Sequence, residues 1–403
     1  MAITTEIIGG AVQLTGIPCW VKVSGGVAPV GSSEYKYLLQ VISEDDTLLT
    51  DPDPDAIAPD SNGEVWFDIS GIVNQPVKAV FKYPATDAYE IYPKQAFNIQ
   101  VKTGQSYVDS NGMLQEVWGA TSEVFQMLKG GVSHRQIVNW NASGSSFYQT
   151  YIQGGKFLTH RPQSDIVHPA QPVKLWFIPD SNNLSTLAMT GYYNDGSSET
   201  LTRQVMLNTD YMYEVNANPV HMGFTLEPVG KRMLYFEVWF HYYGSLLSDI
   251  RRFVFDWRPI ERPVFVFFAN SIGGVDDVLL SGRMIEKFDV EGNAVRKQPL
   301  RDATILDPVL VVPDSLGQNT WSINSGHKST TQMLHLRDML VSRQKWLLYP
   351  NEAVSAYTVI AVITPGSEIQ LIDRSPDQHD IYHVDIAFEE AEQSQFSFDN
   401  RLS

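Results

Sequence analysis

Asp51, Asp53 and Asp55 alternate with Pro52 and Pro54, and Asp60 follows, which makes this the densest carboxylate run in the chain. Carboxylate oxygens gathered this closely are hard ligands of the kind that hold Ca²⁺. An EF-hand loop also needs glycine at its sixth position and glutamate at its twelfth. Counted from Asp51, those positions hold Ala56 and Asn62. With two prolines stiffening it, the run reads as a solvated acidic loop.

The nine histidines are scattered. His160 and His168 are close in sequence, as are His379 and His383, and none forms His-Glu-x-x-His. His379 and His383 fall in strand-like sequence, where residues four apart stand about 13 Å from each other, too far for one metal ion. Cys19 is the only cysteine, which excludes an internal disulfide and a Cys-based zinc site within one chain. Within Ile17-Pro18-Cys19-Trp20-Val21 it reads as an inert buried thiol.

No Gly-x-Ser-x-Gly occurs, and Gly144-Ser145-Ser146 reads as a polar loop with no helix after it. Gly273-Gly274 follows a strand-like run but leads into Val275-Asp276-Asp277, whose acids would repel a phosphate. The pair more simply lets the chain reverse. A glycosidase would need two carboxylates facing across a cleft, a pairing that linear spacing does not report when the two come from distant strands. No residue is therefore named as catalytic, cofactor-binding or metal-binding, and the expectation is a non-enzymatic protein with no cofactor.

The elements that would position any site read as strands. Tyr35, Tyr37, Leu39 and Val41 alternate, as do Val65, Phe67 and Ile69, then Phe97, Ile99 and Val101. Asp60-Ser61-Asn62-Gly63 and Asp109-Ser110-Asn111-Gly112 supply the positive φ of tight hairpins. After Gly130-Gly131 come Gln171 to Ile178, Met189 to Tyr193, Thr200 to Leu207 and Met233 to Tyr243, with Asn194-Asp195-Gly196 closing a hairpin. The run Leu234 to Phe240 is apolar at nearly every position and predicts a strand covered on both faces or lying at a domain contact, the contact being favoured.

Pro259, Arg262 and Pro263 mark a boundary, after which Val264 to Phe268 turns at Gly273-Gly274 and returns through Asp277 to Ser281. The convincing helix is Thr330 to Arg343, with Met333, Leu336 and Leu340 on one face and Ser329 and Gln332 at capping-box spacing. Lys345 to Tyr349, Tyr357 to Ile363, Ile369 to Ile372 and Tyr382 to Phe388 follow as strands. The fold expectation is all-β, mainly antiparallel β-sandwich domains with one or two short helices, in three domains at 1–118, 119–260 and 261–403 with a helix near 330–343.

Composition agrees. A chain of 403 residues exceeds one ordinary core, and 43% hydrophobic against 19% charged residues is that of packed domains rather than of disorder. Forty-six acids against 29 bases give a formal charge of −17, which argues against coating a nucleic acid. Arg251, Arg252, Arg258 and Arg262 are interrupted by Asp249, Asp256 and Glu261 and read as a solvated face. The first residues lack a secretory h-region, and no apolar run approaches the roughly 18 residues of a membrane span. Tyr192-Tyr193, Tyr211 with Tyr213, and Tyr242-Tyr243 could stack on sugars or fill a subunit interface, although core packing explains most aromatics.

One resemblance is carried by particular residues. Asn270-Ser271-Ile272-Gly273-Gly274-Val275-Asp276 between two apolar strands, Lys156-Phe157-Leu158-Thr159-His160-Arg161-Pro162, the helix near Leu334 to Ser342, and the acidic strand end Phe388-Glu389-Glu390-Ala391 together resemble structural proteins of tailed phages and prophages of Bacteroidota. The resemblance implies a virion component made in the host cytoplasm and brings no catalytic residue with it. The resulting expectation is a tail or neck protein that self-associates in a homo-oligomeric ring and binds other virion proteins, with no membrane and no specific nucleic acid as partner. Phe396 and Phe398 near the C-terminus could reach adjacent copies. The alternative is a carbohydrate-binding, adhesin-like β-sandwich that recognises a host surface glycan.

Overall fold

The computed structural model describes residues 3–7, 12–43, 47–49, 55–73, 83–84, 87–93, 96–122, 124–128, 130–132, 134–292, 295–296, 310–311, 314–351, 356–365, 381–391 and 394–397. The fold is multi-domain and all-β, with several antiparallel sheets and short helices. Two compact units emerge, one formed by Met1–Phe255 with Ala269–Asp276 and the other by Asp256–Phe268 with Asp277–Ser403.

The first unit begins with a β-sandwich. Thr4–Ile7, Trp20–Ser24 and Val65–Asp68 make a three-stranded sheet. Facing it, Val12–Leu14, Phe125–Leu128, Ala96–Val108, Ser33–Ser43 and Asp55–Ile57 pair in that order, with Leu114–Thr121 also on Ala96–Val108. The alternation read from sequence points inward as period two requires: Val21, Val65 and Phe67 meet Tyr37, Leu39, Val41, Ile99 and Val101 in one buried core. Asp109–Gly112 closes a hairpin, its Asp109 carboxylate accepting the Asn111 and Met113 amides at 2.9 and 3.0 Å. Asp60–Gly63 makes the same turn with the Asn62 and Glu64 amides but joins strands of different sheets, so it is a crossover rather than a hairpin.

A second sandwich completes this unit. Ser164–Val167, Arg251–Phe255, Met233–Tyr242, Asn183–Tyr193 and Ser198–Leu207 lie side by side, and Lys174–Phe177, Tyr211–Asn216 and Tyr89–Pro93 form the opposing sheet. Phe177 from one sheet stacks on Phe240 from the other at 4.9 Å. The run Leu234 to Phe240 is not covered on both faces. Phe236, Val238 and Phe240 are buried, whereas Tyr235, Glu237 and Trp239 are half-exposed on the outer face. A helix at His134–Ser143, unmarked by an apolar stripe, precedes a π-helical turn at Tyr148–Gln153. The expectation of no helix after Ser146 is thereby corrected: the Ser146 hydroxyl accepts the Gln149 amide at 3.2 Å, starting that turn.

In the second unit an eight-stranded sheet runs Val275–Leu280, Val264–Ala269, Lys345–Asn351, Ala356–Ile363, Asp385–Glu390, Asp314–Asn324 and Met284–Gly292, with Ser394–Ser397 also on Asp314–Asn324. Helix Thr330–Val341 starts with the expected capping box between Ser329 and Gln332. It buries Met333, Leu336 and Met339 among Val266, Phe268, Trp321, Leu347, Ile386 and Phe388, with Leu340 at the margin. Val384, Ile386 and Phe388 alternate inward. Ile369 to Ile372 lies outside the described residues.

Candidate functional site

Two of the segments that carry the resemblance meet inside the first unit. Gly155 has φ +61 and opens the strip Lys156–Pro162, where Phe157 and Leu158 are fully buried. The Leu158 amide donates to the Trp176 carbonyl at 2.7 Å, and the Leu158 carbonyl accepts from Asn270 Nδ2 at 2.7 Å. Asn270 Oδ1 meanwhile accepts the Ile272 and Gly274 amides at 3.1 and 2.9 Å, so one side chain both shapes the reversal and ties it down. Gly274 is required by contact, because a Cβ there would stand 2.5 Å from the Leu158 carbonyl oxygen. The reversal also binds the glycine pair 130–131, whose Gly131 amide donates to the Ser271 carbonyl at 2.7 Å.

Charge is concentrated at this junction. Arg161 holds Asp165 at 3.0 Å and lies 4.0 Å from Asp276, with all three side chains nearly or wholly buried. Thr159 donates its hydroxyl to Asp276 at 2.9 Å and accepts the Arg161 amide at 3.0 Å. Arg251 donates to the Arg161 carbonyl at 2.9 Å and pairs with Asp249 at 2.8 Å, while Asp249 accepts the Phe157 amide at 2.9 Å. Buried charges persist only when paired and hydrogen-bonded. The partners named here are all internal, so the arrangement locks backbone segments together.

A second buried polar group was not read from sequence, although a lysine inside Val173-Lys174-Leu175-Trp176 was its signal. Lys174 pairs across the ladder with Asn216, and Glu214 shares their face two residues earlier. Lys174 Nζ contacts a Glu214 carboxylate oxygen and donates to Asn216 Oδ1 at 3.2 Å. Asn216 Nδ2 donates to the Asp87 carbonyl at 2.6 Å. Burial pushes the nearby His221 imidazole below its ordinary value, the Lys174 charge adds to this, and Asp87 opposes it.

The other sequence candidates are dispersed. Cys19 is buried, and burial together with the Asp68 charge pushes its thiol up to about 12, which keeps it protonated and unreactive. His160 bonds the Ser271 hydroxyl at 2.8 Å, and His168 Nδ1 accepts the Ala170 amide at 3.2 Å. Ser145 shares a hydrogen bond with the Thr150 hydroxyl at 3.0 Å, a partner unsuited to act as a base. Asp51, Asp53 and His379 lie outside the described residues. Among the described residues no group of three or more His, Cys, Asp or Glu is placed to hold a metal ion, and no helix is long and apolar enough to cross a membrane. Arg252 pairs with Glu237 and Arg258 with Asp256, each at 2.6 Å, which offsets the basic run.

Exposed apolar surface collects at one end of the larger sheet of the second sandwich, where a short sixth strand, Ser245–Leu246, pairs with Met233–Tyr242. Leu184 faces Met206 across the ladder, and the adjacent row pairs His241 with Thr186 and Leu246. Leu184, Met206 and Leu246 are each more than half exposed, and Tyr243 at the hairpin tip is 91% exposed. Tyr243 takes φ +45 before Gly244 at +85, a turn that glycine or asparagine would make without strain. Tyr193 and Tyr213 are instead buried, and Tyr213 donates to the Met206 carbonyl at 2.7 Å.

Neither a protein-family model nor a curated protein matches the sequence. Among solved structures, a marsupial T cell receptor is similar at 9% identity over 80% of this chain and 96% of its own, with a TM-score of 0.17, a likeness that carries no argument.

Proposed function

We propose that the chain is a non-enzymatic structural protein of a phage virion, a tail or neck component that works as several copies in a symmetric ring or layer. The observation that carries this reading is the exposed apolar end of the larger sheet of the second sandwich, where Leu184, Met206, Leu246 and Tyr243 leave a patch of the kind that marks protein contact surfaces. Two further facts support it. Arg161, Asp165 and Asp276 are held in internal locks, and the two segments that these locks join are ones that resemble phage structural proteins. An acidic exterior keeps free subunits apart in solution until apolar faces dock.

Light scattering after size exclusion, over a wide concentration range and with the products of adjacent genes added, tests the reading. A discrete ring-sized species that is lost in a Tyr243→Ser/Leu246→Glu variant is expected. A monomer at every concentration and with every neighbour overturns it. The exposed Tyr242–Tyr243 tip favours a second reading, recognition of a host surface glycan, which saturable binding on a glycan array by that monomer would favour instead.

A further inference from the structure

We propose that Lys174 and Asn216 form an intramolecular isopeptide bond, with Glu214 as the proton carrier. The three side chains lie on one face of neighbouring antiparallel strands, and each is 2% exposed or less. An ordinary buried ion pair would need only Lys174 and Glu214. The third member distinguishes this site: an amide whose oxygen accepts from Lys174 Nζ at 3.2 Å while its nitrogen is held by the Asp87 carbonyl at 2.6 Å. Both ends of the acceptor are fixed, and the carbon to be attacked is the one bonded to the oxygen that Nζ already touches. Trp176 lies across the ladder from Glu214 with Tyr92 5.3 Å from its ring, which keeps bulk water away from the group.

The chemistry closes without an oxidant or co-reactant. An ammonium and a carboxylate taken out of water together favour the exchange of a proton that leaves both neutral. Glu214 accepts that proton from Lys174, and the freed lone pair of Nζ attacks Cγ of Asn216. The carbonyl electrons shift to Oδ1, which Glu214 stabilises by handing its proton back. As the carbonyl reforms, the Cγ–Nδ2 bond breaks, and Glu214 relays two protons to the departing nitrogen, one lost by Nζ and the one it had lent to Oδ1. One C–N bond forms and one breaks. The nitrogen leaves as ammonium and Glu214 ends ionised. Proximity of this kind turns a very slow amide exchange into a one-time intramolecular step. The bond would staple Lys174–Phe177 to Tyr211–Asn216 whatever the chain's biological role.

Mass spectrometry of the full purified chain, intact and after trypsin digestion, decides the matter. The expected result is a deficit of about 17 Da, the mass of one ammonia, with the Lys174 and Asn216 peptides joined and no cleavage after Lys174. Asn216→Ala and Glu214→Gln should both restore the full mass. The wild-type readout needs no variant to fold. A wild-type chain at its full sequence mass with ordinary cleavage after Lys174 overturns the proposal, as does a deficit of about 18 Da with Lys174 joined to Glu214 instead. A cross-link that persists in Glu214→Gln overturns the role given to that carboxylate.

Discussion

Thr159 and Asp276, 117 positions apart in the chain, share a hydrogen bond of 2.9 Å in the interior of the first unit. Arg161, two residues along, brings its guanidinium within 4.0 Å of the same carboxylate. A strip and a chain reversal with no local reason to meet are thus held by a charged group that neither could bury alone.

Removing that carboxylate leaves a buried guanidinium with less compensation. Asp276→Ala should cost about 3–5 kcal/mol, the usual effect of breaking a buried pair from one side. Thr159→Val, which removes a single hydrogen bond, should cost about 1–2 kcal/mol. Urea unfolding followed by tryptophan fluorescence checks both, and equal, small losses would contradict the assignment.

Cys19 gives a pH dependence of definite sign. Its thiol is pushed from an ordinary 9.0 to about 12 in the folded chain. Between those values the unfolded chain has lost a proton that the folded chain keeps, so stability is unaffected below the lower one and falls as pH rises through the window. The slope from this group is at most about 1.4 kcal/mol per pH unit. Comparing unfolding midpoints of wild type and Cys19→Ala at about pH 8 and about pH 10.5 isolates it, with the wild type losing more.

At the helix of the second unit, the Ser329 hydroxyl accepts the Gln332 amide, and the Gln332 side chain accepts the Ser329 amide at 3.1 Å. Ser329→Ala should cost about 1 kcal/mol and Gln332→Ala less. Thermal unfolding by circular dichroism measures each, and a Ser329→Asp variant should retain most of the stability.

Much of the local architecture was legible without coordinates. Alternation at Tyr37, Leu39 and Val41 and at Val384, Ile386 and Phe388 declares a strand with one buried face, because side chains alternate every residue. Asn111-Gly112 and the Ser329/Gln332 spacing declare a turn and a helix start, because positive φ and capping are settled within four residues. The His134–Ser143 helix escaped because it carries no apolar stripe, and the Asp60–Gly63 crossover escaped because its turn chemistry is the same as a hairpin's.

What the sequence by itself determined is therefore the class of structure and its punctuation: strands, tight reversals, one capped helix and a lone thiol in apolar surroundings. Only the tertiary structure decided which strands pair and which polar groups meet. Tyr89–Pro93 joins Tyr211–Asn216, Asn270 reaches Leu158, and Lys174 faces Asn216 across the ladder. Such encounters depend on how sheets stack and on which buried charges can find a partner, and no periodicity of a few residues records a partner that lies forty or a hundred positions away.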